Sequence, residues 1–459
     1  MSLLNTLYSL ISYVLLIFSA LWASSTWASE SGAGDDLQQD QIKDIEYSAL
    51  LETEWAYGTV ANSSQKLEFI FEPEINIELQ NNRKLTMIAR LRGDVEDKLE
   101  PGQPSQDTVS NISQRGFIGD HVDVELREFY FEADVAQTYF TLGKQQIVWG
   151  KADGLKVLDV VNPQYFREFI LDDFDDSRIP LWAVNAEVTI NDSVLQLIWI
   201  PDLSYHVLPQ ADSLYAFTSP LLVPTAPPGV AVDLRPVEKP DRVFEDADYG
   251  LRLSRFAGGW DLSFNYLYHY YDTPVLFQSL TLAPTPTVKI TPRYQRSHLI
   301  GGTFSNAFSA FVLRGEVGYS TDRYFLTNNV GDSDGVFKSD ELAYVIGLDW
   351  SGIDETFLSV QLFQSRLMDS QPGLVRDKVD TTFTFLARLD FMNDTLVAEV
   401  LWLHNTNYSD GLLRPKVSYE WQDNIKLWLG ADVFYGDEKG LFGQYEANDR
   451  IVLGMEWGL

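Results

Sequence analysis

Cysteine is absent from the 459 residues, so neither a disulfide framework nor a thiolate metal site is open to this chain. Histidine is scarce: His121, His206, His269, His298 and His404 are the whole supply, and none sits in a recognisable catalytic spacing. Basic residues are outnumbered, 34 against 66 acidic, for a net charge of −32. Nucleic acid is therefore not an expected partner, since its phosphates need Lys and Arg to displace counterions. Long hydrophobic runs are also lacking beyond residue 30, where a spanning helix would need about 20 apolar residues. The nearest candidate, SLYAFTSPLLVPTAPPGVAV at 213–232, contains Pro220, Pro224, Pro227 and Pro228. Each removes a backbone donor and clashes with the preceding turn, so the stretch reads as a loop.

The opening MSLLNTLYSLISYVLLIFSALWASSTWASE is an apolar run ending in small residues around Thr26-Trp27-Ala28, the pattern of an export signal and its cleavage site. The expected organisation is a signal peptide at 1–28, a short periplasmic segment at 29–45 and one body at 46–459. That body alternates apolar and polar residues with period two, the mark of strands whose two faces meet different surroundings. In KLEFIFEPEINIELQ, Leu67, Phe69, Phe71, Ile75, Ile77 and Leu79 share one face while Glu68, Glu72, Glu74, Asn76 and Glu78 share the other.

About eighteen such segments follow one another, sixteen if two weak ones merge, and their connections alternate in length. Tight ones fall at 81–83, 134–137, 191–193, 257–259, 305–310, 351–355, 392–394 and 422–424; long ones at 98–120, 150–179, 202–246, 274–290 and 326–340. Short periplasmic turns on one rim and long extracellular loops on the other are what a transmembrane barrel requires, and closure satisfies every backbone polar group in hydrocarbon. The expected fold is all-β: an antiparallel β-barrel in a bacterial outer membrane, its apolar face against lipid.

The polar face then lines a lumen, with Glu72, Glu74, Glu78, Arg90, Arg92, Glu125, Arg127, Arg314, Glu316, Arg388 and Asp390 as candidate pore-lining residues. Arg90 and Arg92 are expected to pair with Glu74 and Glu78 across a hairpin. Such charges either stiffen the wall or select what passes. A change of register at Arg127-Glu128 reads as a β-bulge with both charges inward.

GKQQIVWGKADGLKVLDVVNPQ at 143–164 places Gly150 before Lys151, but six residues separate Gly143 from Gly150 and Ala152 follows the lysine. A phosphate loop needs four residues between its glycines and a hydroxyl after the lysine. The thirty residues from Gly150 carry many apolar side chains and are expected to fold into the pore and narrow it. Lys151, Asp159, Asn162, Asp172, Asp173, Asp175 and Asp176 are the candidate constriction residues, with the acidic run held by water or by Arg90, Arg92 or Arg314.

With RIPLWAV after it, this stretch resembles the motif G-[RK]-Q, W-G, D-V-x-N-P of a broad family of proteobacterial outer-membrane barrels catalogued as a domain of unknown function. More distantly it is similar to the alginate-export type of eighteen-strand channel. Gly143, Gln145, Trp149, Gly150, Asp159, Asn162 and Pro163 carry the match. The resemblance implies a barrel that passes organic solutes or lipids; it names no substrate.

Residues 213–232 and 274–292 are Pro-rich and apolar. They read either as a surface that captures a hydrophobic solute or as two loops packed into a lid. VGDSDGVFKSDE at 330–341 fits a calcium loop at Asp332, Asp334, Gly335 and Glu341, but Val330 stands where the first carboxylate belongs, so an Asp-Gly turn is the simpler reading. No cofactor is expected, and metal binding is left open. The expected function is an outer-membrane channel for an organic, hydrophobic or lipid-like solute, with outer-membrane lipids and a periplasmic or inner-membrane transport partner. A structural or adhesive barrel without an open pore, or an outer-membrane hydrolase, are the alternatives.

Overall fold

The computed structural model describes residues 42–152, 154–224, 226, 228–282, 284–329 and 331–459. The expected signal peptide and residues 29–41 lie outside them. The first strand begins at Ile42, four residues before the start expected for the barrel.

Among the described residues eighteen antiparallel strands form one closed sheet, to which the two-residue Gly116–Phe117 adds beside Val122–Val135. In chain order the wall begins with Ile42–Gly58, Ser63–Leu79 and Arg83–Asp94 and ends with Asp410–Gln422, Ile425–Tyr435 and Arg450–Gly458. Closure comes from the first strand pairing with the last, from Leu50 opposite Gly458 to Gly58 opposite Arg450. Closure leaves no sheet edge, which a structure surrounded by hydrocarbon requires. The period-two pattern sets the faces: Ile451 and Leu453 are about half exposed on the outside while Arg450 and Val452 are buried within.

The short turns fall where turn chemistry predicts. Asn81, Asn82 and Asn191 sit at positive φ, as do Gly258 and Gly259, because Asn and Gly tolerate the left-handed conformation a tight hairpin needs. The bulge is present: Ile88 pairs with Glu128 and Ala89 with Leu126, leaving Arg127 as the extra residue.

Two expectations are corrected. The 274–292 stretch is no plain loop but a hairpin, Val275–Thr281 with Thr287–Arg293, to which Ala231–Leu234 adds in parallel. Its own alternation suffices for a hairpin, and its prolines are kept to the tip and the strand ends. Arg90 and Arg92 do not pair with Glu74 and Glu78. The register sets Phe71 opposite Leu91 and Glu74 opposite Ile88, which brings Arg90 to Glu72 at 2.5 Å instead.

Candidate functional site

The segment from 146 to 180 leaves the wall after Thr138–Gln145 and returns at Leu181–Ile190. Between them it crosses the interior of the barrel. Asn162 ties its two ends together: its Oδ1 accepts the Ile147 N–H at 2.7 Å and its Nδ2 donates to the Ile179 carbonyl at 2.9 Å. Gly150 is a packing position, not part of a phosphate cradle, since a Cβ there would lie 2.8 Å from Cβ of Asp159. Trp149 is fully buried, and its Nε1 donates to Gln196. Leu158 fills a hollow that Gly301 and Gly318 leave in the wall. Glu316 accepts backbone N–H groups of Lys151, Ala152 (2.8 Å) and Leu158 (3.0 Å).

Ion pairs hold the middle of the segment against the wall. Glu168 reaches Lys66 at 2.6 Å, Arg450 at 2.8 Å and Arg167 at 3.0 Å. Arg167 also binds Glu68, and Arg450 reaches Asp432 at 2.7 Å. Burial alone would raise the Glu168 carboxyl, but Lys66, then Arg450 and Arg167, hold it well below the usual carboxylate range. Arg167, Glu168, Lys66 and Asp432 were not candidates from the sequence. The available signal was the charged pair inside the apolar run FREF, which has no reason to exist there unless it is answered from elsewhere.

Other candidates are placed as follows. Asp176 binds Arg90, and Arg127 donates to the Asp175 and Asp176 carbonyls. Asp175 binds Arg178, which also reaches Asp159 at 2.8 Å. Lys151 binds Asp261, and its carbonyl accepts from Arg314, which pairs with Asp349 at 2.9 Å. Glu125 lies 3.5 Å from Lys144. Arg92 lies over the Tyr165 ring and meets no acid of the 172–176 run. Four candidates sit apart, near the periplasmic rim: Glu74 accepts from Asn76, Glu78 pairs with Lys43, and Arg388 pairs with Asp390.

Two cavities flank the segment. The lower, about 160 Å³, is lined by many charges, among them Lys66, Arg90, Arg414, Asp173 and Glu399. The upper, about 380 Å³, is lined by Leu155, Val160, Phe166, Phe169, Ile170 and Phe174, with His206, His269 and Asp272. Asp172 lines both. Its carboxyl is pushed up to about 7 by burial and then by the Glu168 charge, against the pull of Arg167. A third cavity of about 160 Å³, with Leu221, Leu222, Val275 and Leu276, shares Tyr271 and Arg323 with the upper one.

Of the two Pro-rich stretches, the first is partly a lid. Tyr215 is buried against Phe434 and Tyr445, and Ser219 bonds the Lys439 carbonyl. Exposed apolar residues remain farther along, at Val232, Leu234, Leu280 and Leu282. The calcium pattern is taken up by other contacts: Asp332 accepts from Gln371, and Glu341 pairs with Arg323 at 2.8 Å. Among the described residues no group of three or more His, Cys, Asp or Glu is arranged to hold a metal.

A family model described as "Protein of unknown function (DUF1302)" matches residues 90–453. No curated protein matches the sequence. The fold is that of solved outer-membrane proteins. The outer membrane protein OpdK of Pseudomonas aeruginosa is 9% identical with a TM-score of 0.52, the match covering 91% of this chain and 100% of that one. OccK2 (OpdF) of the same organism, solved in complex with glucuronate, is 9% identical with a TM-score of 0.52, covering 92% and 99%. OccAB2 of Acinetobacter baumannii is 10% identical with a TM-score of 0.52, covering 92% and 99%.

Proposed function

The chain belongs to the DUF1302 family, whose function is unknown, and from its geometry we propose that it is an outer-membrane channel for a small organic solute with an apolar body. One observation carries the reading: the 146–180 segment crosses the lumen and leaves cavities above and below that share Asp172 in their walls. A barrel serving only as a scaffold needs no such division. The apolar lining of the two upper cavities supports a solute with hydrophobic surface, since a fully hydrated ion gains nothing from such walls. The glucuronate bound by OccK2 is an organic solute on a barrel of this fold. A shared fold does not transfer function, so the weight stays on the cavities.

The test is single-channel recording in planar bilayers, comparing the full barrel with a variant in which residues 152–176 are replaced by a short Gly-Ser linker. The strands close the barrel without the segment, so the variant should assemble and its conductance should rise severalfold. An assembled variant with the conductance and selectivity of the parent would sink the reading, because the segment would then not govern the path.

A further inference from the structure

We propose that the upper cavity is a binding station for a solute that joins an apolar ring to a positively charged amino group, with Asp272 and Asp172 as the groups that receive the charge. This rests on the channel reading and names the class of solute the path would select.

The cavity's volume, about 380 Å³, lies in the range of about 300–1,000 Å³ typical of small-molecule sites. Its charged groups divide in two. Lys156 is 3.3 Å from Asp159, and Arg323 is 2.8 Å from Glu341, so both cations already have carboxylates. Both also lie over aromatic rings, Lys156 over Phe174 and Arg323 over Tyr271. An incoming anion would have to displace these pairs.

The remaining two carboxylates are differently placed. Asp272 is 9% exposed, and among the described residues its carboxylate has no hydrogen-bond or ion-pair partner. Among the described residues Asp172 has only Arg167, at 3.7 Å, and Arg167 is turned to Glu68 and Glu168. The nearby His206 offers no compensating charge: its Nδ1 accepts the Gln164 N–H at 2.8 Å, and burial, then Lys156, pushes the ring down to about 3. An unanswered carboxylate in apolar surroundings is costly and takes up a proton unless a cation arrives. Burial, then Asp248, pushes the Asp272 carboxyl well above its ordinary range. A bound ammonium would stabilise the ionised form, and the carboxyl proton would pass to the buffer.

Isothermal titration calorimetry on the detergent-solubilised barrel tests this with three probes of one body: 2-phenylethylamine, phenylacetate and 2-phenylethanol. The amine is expected to bind at least about tenfold more tightly than phenylacetate. Its binding heat should change between buffers of different ionisation enthalpy, reporting the released proton. Asp272→Asn should weaken the amine about tenfold and leave 2-phenylethanol unchanged. Phenylacetate binding as well as the amine, no binding of any probe, or an unaltered amine affinity in Asp272→Asn would overturn the proposal. If Asp272→Asn does not assemble, the amine-against-acid contrast in the natural chain decides. Bilayer current is recorded separately. Amine selectivity without current would defeat the channel reading alone, and current without amine selectivity would defeat this inference alone.

Discussion

Arg388–Asp390 near the periplasmic rim and Arg450–Glu168 in the interior are ion pairs of the same length, 2.8 Å. Their surroundings differ: the side chains of the first are 46% and 16% exposed, those of the second 2% and 1%. Both arginines face inward, Arg388 three residues from the periplasmic end of Val379–Phe391 and Arg450 at the opposite end of the wall, as the first residue of Arg450–Gly458. Only Arg450 lies under the crossing segment, which removes water and supplies the acid. Distance thus says little about what a pair contributes; burial and the number of partners say more.

The largest effect expected on this contrast comes from Glu168→Ala. It leaves Lys66, Arg167 and Arg450 without their shared acceptor, and it should cost about 3–5 kcal/mol. Urea unfolding of the barrel reconstituted in vesicles measures it. A cost as small as that of a rim pair would erase the distinction.

The outer face gives the next largest change and checks that the interior is special for its charges. Val360 is half exposed on the outer face, four residues in from the start of Thr356–Leu367. Val360→Arg should cost about 2–4 kcal/mol near mid-membrane. Ile77 lies two residues from the end of Ser63–Leu79, and Ile77→Arg should cost about 1 kcal/mol or less at the interface. Equal assembly yields for the two, read by heat-modifiable gel mobility, would contradict this depth assignment.

A smaller effect is expected from pH. The Asp172 carboxyl, pushed up to about 7, is neutral below that value and charged above it, in the company of Glu168, Arg167, Lys66 and Glu68. Cation preference should therefore rise, by about twofold, between about pH 6 and about pH 8. Lys156, pushed down to about 8 by burial against the pull of Asp159, loses charge in the upper part of the same range. Asp172→Asn separates the two by removing the step near 7; a reversal-potential series in which that step survives would assign it elsewhere. The smallest effect belongs to Arg388→Ala, at about 0.5 kcal/mol or less and shrinking with added salt. A cost above about 2 kcal/mol in the same urea assay would make the rim pair equivalent to a buried one.

Much of this protein was legible in order along the chain. Alternation of side chains fixes which face of each strand is apolar, and Asn, Asp and Gly mark the tight turns. Both are properties of neighbouring residues. The bulge at Arg127 could be read the same way. The crossing of the lumen was foreseeable because an apolar segment between two strands must bury itself somewhere. Its partners were not: Arg90 faces Glu72 because of hairpin register, and Glu168 meets Arg450 across a separation of 282 residues. The 274–292 hairpin likewise takes Ala231–Leu234 as a third strand from another loop. Sequence determined the closed wall and the inward charges. Tertiary structure alone decided which of those charges are buried, paired or left unanswered like Asp272, because burial depends on what the rest of the chain lays over a residue.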